Sequence, residues 1–192
     1  MTSVLRHLLA QGSPFVVLPA PDARSPREAA AQHGVDLAEL VRTEVIVTSG
    51  GPVAVAIGAG ATVDRGAARG AVRDPDARLA TAAEIRAVAR DCEPGSLPPL
   101  SHYLIVPVYV DPSVGALEQI VFPAGSPSAL VCMRRADLFL AEPVIVAALV
   151  GKPASEPPVP SAVAPSRRIV LTDSPLVPIH LAGSSGGSRR TF

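Results

Sequence analysis

The sequence predicts an α/β chain of the α+β type, a mixed, curved β-sheet or barrel with helices packed outside it. Three observations carry this. Two Ser/Thr-x-x-Glu capping boxes, at Ser25 with Glu28 and at Thr81 with Glu84, mark helix starts. Runs of β-branched apolar residues, such as "TEVIV" and "PVAVAIG", are separated by short turn signals. Hairpins outnumber βαβ repeats in the order α-β-α-β-β-α-β-α-β-β-β-α, which argues against a doubly wound parallel sheet.

Each element has a local reason. Val4 to Ala10 read as a short helix and Phe15 to Leu18 as a strand. In "SPREAAAQHG" Ser25 caps, Pro26 sits at the first helical position, Glu28 completes the box and Gly34 stops the helix. "DLAEL" adds a helical turn. "TSGGP" is a hairpin turn joining strand 43–48 to strand 52–58. Asp64 can cap a helix running to about Val72, and "RLA" is a short strand. "TAAEIRAVARDC" is the next helix, followed by the loop "EPGSLPPLS" and a long apolar strand, "YLIVPVYVD". Strands 118–124 and 128–133, joined by "AGSPS", precede a final helix starting near Arg135.

The 192 residues fit one domain over 1–150, followed by a Pro/Ser/Gly-rich, largely flexible tail over 151–192. Within the tail, "RIVLTDSPLVPIHL" can form one extended segment docked on the domain. Formal charge is zero and 48% of residues are hydrophobic, which excludes a disordered acidic chain and a globally basic nucleic-acid coat. With four Phe, two Tyr and no Trp, base stacking on aromatic platforms is not expected to dominate any RNA contact. Sixteen Arg against the single Lys152 reflect a compositional bias before they reflect function. Cys92 and Cys132 lack CxxC or Cys/His ligand spacing, so neither a zinc site nor a disulfide framework is expected. Cys132 in "ALVCM" reads as a buried apolar thiol. Arg6 and His7 break the first apolar run too early for a secretory signal, and "PVIVAALVG" is far too short to span a membrane. A cytoplasmic chain without membrane association is expected.

Four stretches, in order, resemble the YbaK/ProX family of aminoacyl-tRNA deacylases, whose fold also serves as the editing domain of bacterial prolyl-tRNA synthetases. They are "SPREAAAQHGV", "LVRTEVIVTSGGPVAVAIGAGATVD", "TAAEIRAVARDCEPGSLPPL" with its Gly-x-x-x-Pro loop from Gly95 to Pro99, and "PVYVDPSV…IVFPAGSPSALVCMRRADLF". Together they cover roughly residues 5–142. The resemblance implies a YbaK-like fold and hydrolysis of the ester between a wrongly attached small amino acid and the 3′ end of a tRNA, with tRNA of the proline type as the expected partner. It implies neither metal nor cofactor, and an aminoacyl-tRNA synthetase is a further candidate partner. The 2′-hydroxyl of the terminal adenosine would help activate water, and the protein would supply shape and hydrogen bonds.

The candidate residues follow from these motifs. Arg42 aligns with a pocket lysine of the family; unlike lysine, arginine stays charged and can grip an anion but cannot serve as a base. Its bland reading is a strand-edge arginine in solvent. Gly95 lets backbone N–H groups approach a carbonyl oxygen, and Pro99 stiffens that loop. Thr43, Ser96, Ser126, Ser128 and Asp137 match substrate-lining positions, although Ser96 can equally be a solvent hydroxyl and Asp137 a first-turn acid favoured by the helix dipole. On one strand Arg42 and Thr43 must point to opposite faces. Arg65, Arg69 and Arg73 recur every four residues as a helical stripe and, with Arg78, form the best tRNA-binding candidate, weighed against a plain solvated helix face. His33 and His102 stand without a Ser-His-Asp constellation. No GxSxG, P-loop, HExxH or dinucleotide fingerprint occurs. Two functions remain: a free-standing trans-editing deacylase, or a catalytically degraded relative that binds tRNA, an amino-acid-like ligand or a partner protein.

Overall fold

A computed structural model describes residues 1–151. The elements are α1 (Ser3–Gln11), β1 (Val16–Pro19), α2 (Pro26–Gln32), β2 (Val41–Thr48), β3 (Gly51–Gly58), α3 (Arg65–Val72), β4 (Arg78–Leu79), α4 (Ala82–Val88), α5 (Ser101–Leu104), β5 (Val108–Val110), α6 (Pro112–Gly115), β6 (Gln119–Pro123), β7 (Ala129–Arg134), α7 (Arg135–Ala141) and β8 (Val144–Val146). The tail and "RIVLTDSPLVPIHL" lie outside the described residues.

The strands form two sheets. One is antiparallel, in the order β1-β7-β6; the other is mixed, in the order β4-β2-β3-β5-β8, with β5 parallel to both β3 and β8. A bridge between Leu40 and Val121 ties the sheets together, and they do not close into a barrel. The principal core lies between the sheets. Val45, Ala54, Val108 and Val110 meet Ile120, Phe122, Val131 and Met133 there, with Val4 and Leu8 of α1 closing one end. α2 covers the outer face of the small sheet through Ala29 and Ala30 against Leu130 and Cys132. α3 covers the outer face of the large sheet through Ala68, near Ile46, Val55 and Ile57.

Most helix starts form as the sequence dictates. Thr81 and Glu84 make the full reciprocal capping box of α4, and the Asp64 carboxylate accepts from Ala67 N–H. At α2 the Ser25 hydroxyl accepts from Glu28 N–H, but Glu28 returns its bond to Arg24 N–H rather than to Ser25, so that box is displaced by one residue. The β2–β3 hairpin turns at Ser49–Gly50, with Thr48 opposite Gly51.

Two expectations need correction. The long strand expected over 103–111 is divided: α5 occupies its start and only Val108–Val110 pair as β5. The buried Glu142 carboxylate causes the break, accepting from Ser101 Oγ at 2.9 Å and His102 N–H at 2.8 Å and thereby capping α5 from 40 residues away. Ile105 then leaves the helix in the left-handed region at φ 57°. In addition, "PVIVAALVG" contains a strand, β8, that pairs with β5 and forms a sheet edge. No helix among the described residues is long and apolar enough to cross a membrane.

Candidate functional site

A cavity of about 400 Å³ opens between β2, the strand β4 beside it, α4 and the loop 92–97. Its walls are largely apolar, with Val45, Ala80, Ile85, Ala89 and Leu97 among the lining residues. Register decides which side of β2 faces it. Thr43 pairs with Ala56 and Val45 with Ala54, residues of the core between the sheets, whereas Arg42 pairs with Ile57 and Glu44 with Val55, on the α3 side. Cross-strand partners share a face, so the side chains of Thr43 and Arg42 lie on opposite faces of the sheet.

β2 is also open at one edge there. Ala80 N–H donates to Val45 O, and Val121 N–H to Glu39 O, so the neighbouring segments bind β2 on both sides of Thr43 but not at Thr43 itself. The Val45 carbonyl points away from β3, and Ala56 O accepts from Asp111 N–H on the other side of the sheet. The alternation of an antiparallel ladder then directs the Thr43 peptide N–H and C=O away from β3 as well, toward the open edge. The Thr43 hydroxyl is buried without a partner among the described residues.

The loop opposite turns at one left-handed glycine and docks on a turn that holds another. Gly95 lies at φ 75°, and Ser96 N–H donates to Glu93 O. Glu93 N–H donates to Gly125 O at 2.8 Å, which docks this loop against the turn between β6 and β7. A Cβ at Gly125, at φ 86°, would meet Val4 Cγ2 of α1 at 3.1 Å and Cys92 Sγ at 3.5 Å, so glycine lets the turn pack closely against α1 and the start of the loop. Ser96 follows Gly95 with its hydroxyl fully buried and unpartnered among the described residues, and Pro99 is buried behind the loop. Within the turn Ser126 Oγ lies 2.8 Å from Ser128 Oγ, a local bond that rigidifies it.

The fold thus brings Thr43, Gly95 and Ser96 to one place, with Ser126 and Ser128 on the adjoining turn. Arg42 also borders the cavity, but its guanidinium donates to Ala61 O at 3.0 Å and pairs with Glu44 at 2.8 Å. Asp137 is held away from it in an ion pair with Arg134 at 2.9 Å, across the first turn of α7. Arg65 and Arg69 belong to α3, on the far face of the large sheet, and Arg73 ends that helix in the left-handed region. Arg69 Nε donates to Ala77 O, so its side chain serves the local fold. Arg78 lies beside the cavity but forms a two-bond pair with Glu84. His33 Nε2 donates to Pro19 O, and His102 is part of the Glu142 cluster; neither borders this cavity.

Three cavity features escape the motifs. Cys92 lines the cavity, and burial pushes its thiol pKa up, which keeps it protonated rather than a thiolate nucleophile. Arg86 lines it from α4; its signal in the sequence is the i, i+3, i+4, i+7 spacing of Ala82, Ile85, Arg86 and Ala89. The open edge at Thr43 has no sequence signal, because it depends on where two distant segments stop pairing.

No curated protein matches the chain. Among solved structures, a candidate trans-editing enzyme for prolyl tRNA synthetase superposes with a TM-score of 0.69 at 24% identity, covering 79% of this chain and 99% of the other. The hypothetical protein APE2540 matches at TM-score 0.69 and 24% identity, covering 77% and 99%. A scaffold protein from epitope-backbone grafting gives TM-score 0.69 at 23% identity, covering 78% and 95%. At these identities the likeness concerns the fold. The family model for the aminoacyl-tRNA editing domain, however, matches residues 20–140, a span that includes β2, α4 and the Gly95 loop. The chain belongs to the aminoacyl-tRNA editing domain family.

Proposed function

We propose that the chain is a trans-editing aminoacyl-tRNA deacylase, acting on a small amino acid wrongly esterified to the 3′ end of a tRNA of the proline type. One observation carries this reading: of the four buried side-chain polar atoms without partners among the described residues, Thr43 Oγ1 and Ser96 Oγ belong to the cavity or its loop, the other two being Gln11 Oε1 and Arg42 Nε. Buried polar groups are normally satisfied, so unpartnered ones gathered at a cavity favour a polar ligand. Apolar walls around them suit a small, uncharged side chain.

The acyl group sits against Val45, Ile85 and Ala89, and its carbonyl oxygen accepts from the Thr43 peptide N–H or hydroxyl at the open edge of β2. Water adds to that carbonyl, the bond to the ribose oxygen breaks, and a free amino acid and a tRNA with a free hydroxyl leave. The neighbouring ribose hydroxyl assists the attacking water; of the cavity's own acid–base groups, the Cys92 thiol is held protonated by burial and Glu44 is paired with Arg42, which leaves Glu93 as the lining carboxylate outside the ion pairs among the described residues. Fixed donors aimed at the developing oxyanion contribute a few kcal/mol each to lowering the barrier, by about the amount typical of such sites.

A second reading keeps the fold without the reaction: a degraded module that binds tRNA, an amino-acid-like ligand or a partner protein. Arg42 favours it, because the guanidinium that replaces the family lysine is engaged by Glu44 and Ala61 O. Hydrolysis of alanyl-, cysteinyl- and seryl-tRNA, measured against spontaneous ester loss, separates the two. Turnover of any one supports the deacylase; retained tRNA binding with no turnover supports the module.

A further inference from the structure

Resting on the deacylase reading, we propose that Arg86 is a substrate-binding residue that grips the phosphate on the 5′ side of the terminal adenosine of the RNA. The chemistry of the substrate sets the requirement. The scissile ester is on the ribose 2′ or 3′ oxygen and the phosphate on the 5′ oxygen of the same sugar, so an acyl group inside the cavity leaves a phosphate one ribose outside it. A cation on the lip is needed there, and it must not already be neutralised.

Arg86 meets both conditions. It borders the cavity on the face of α4 that carries Ile85 and Ala89, and it is solvent-exposed. Its side chain takes part in none of the ion pairs among the described residues and makes no hydrogen bond with them. The other arginine lining the cavity, Arg42, is committed to Glu44 and Ala61 O, and Arg78 beside it to Glu84. Glu84, the acid closest to Arg86 in the chain, is likewise taken up by Arg78 and by the Thr81 cap, so it does not neutralise Arg86. The α3 arginines stand over the opposite face of the large sheet and can reach only nucleotides remote from the ester. A planar guanidinium matches phosphate oxygens in a bidentate fashion, which gives both affinity and orientation.

The test compares wild type with Arg86→Ala and Arg86→Lys on three substrates: misacylated tRNA, the aminoacyl ester of adenosine without phosphate, and an uncharged RNA hairpin ending in single-stranded CCA. For Arg86→Ala, KM for misacylated tRNA rises about fivefold to tenfold with kcat unchanged, and the salt slope of hairpin binding falls by about 0.7, the loss of one single-strand phosphate contact. Hydrolysis of the adenosine ester stays within about twofold, and Arg86→Lys keeps most of the affinity and all of the salt slope. An unchanged KM and salt slope in Arg86→Ala overturns the proposal, as does an equal loss on the ester lacking phosphate, which would place Arg86 on the acyl group. If wild type hydrolyses nothing, the deacylase reading fails separately, and the hairpin salt slope still decides the role of Arg86.

Discussion

Thr43 and Arg42 are neighbours in β2 whose side chains serve opposite faces of the sheet, Thr43 the core side and Arg42 the α3 side. The motif draws attention to Arg42, yet β2 begins at Val41, so both residues are within the strand and alternation sends their side chains to opposite faces. Thr43→Val keeps the volume and removes the hydroxyl. We expect kcat/KM to fall about tenfold to a hundredfold with the thermal midpoint little changed, measured by steady-state deacylation. Arg42→Lys is expected to change kcat/KM by no more than about threefold, because the side chain anchors the 58–61 turn rather than the acyl group; a large gain would instead identify Arg42 as a degraded catalytic position. Cys92 provides a negative control on mechanism. With its pKa raised by burial, the thiol should alkylate slowly at neutral pH and faster only in alkaline solution, and Cys92→Ala should retain hydrolysis.

At the scale of elements, legibility followed whether the stabilising partner was local. Ser25, Asp64 and Thr81 each cap a helix with atoms three residues away, so their signals are visible in the chain. α5 was invisible because its cap, Glu142, comes from the end of α7, and the apolar run around it reads as a strand. Glu142 also accepts from Gln11 at 2.8 Å and lies 3.1 Å from His7 Nε2, joining α1, α5 and α7 at one buried carboxylate. Burial opposes its ionisation, but the bonds from His102 N–H, His7, Gln11 and Ser101 outweigh it and hold its pKa below the usual value. Glu142→Gln should therefore cost roughly 2 kcal/mol or more, read from urea denaturation, since buried donors lose a charged acceptor. The Arg78 guanidinium, helped by Thr81, holds the Glu84 carboxyl at about 2, below its usual 4.5. Ionised Glu84 thus supports the fold fully above pH 4.5, and that support fades as pH falls from there toward 2. The gap in urea midpoint between wild type and Glu84→Gln should narrow over the same interval.

For the whole molecule, the layers explain why the site is where it is. The two sheets share one core, with α2 and α3 on their outer faces, and the cavity forms where β4 and β6 leave the edge of β2 unpaired between them. Hairpin order and apolar patterning made the mixed architecture readable, whereas the open edge arises from contacts between segments far apart in the chain. The Val63–Val150 bridge and the bonds from Leu149 and Val150 N–H to Asp111 fix the end of the described domain. Removing residues 152–192 should accordingly leave the thermal midpoint unchanged within a few degrees, by about the scatter of a neutral surface change. The central claim is that this cavity hydrolyses an aminoacyl ester. Its most direct test is the release of amino acid from alanyl-, cysteinyl- and seryl-tRNA by wild type and by Thr43→Val. We predict release well above the spontaneous rate with at least one substrate, sharply reduced in the variant; no acceleration with any of the three, while tRNA still binds, would contradict it.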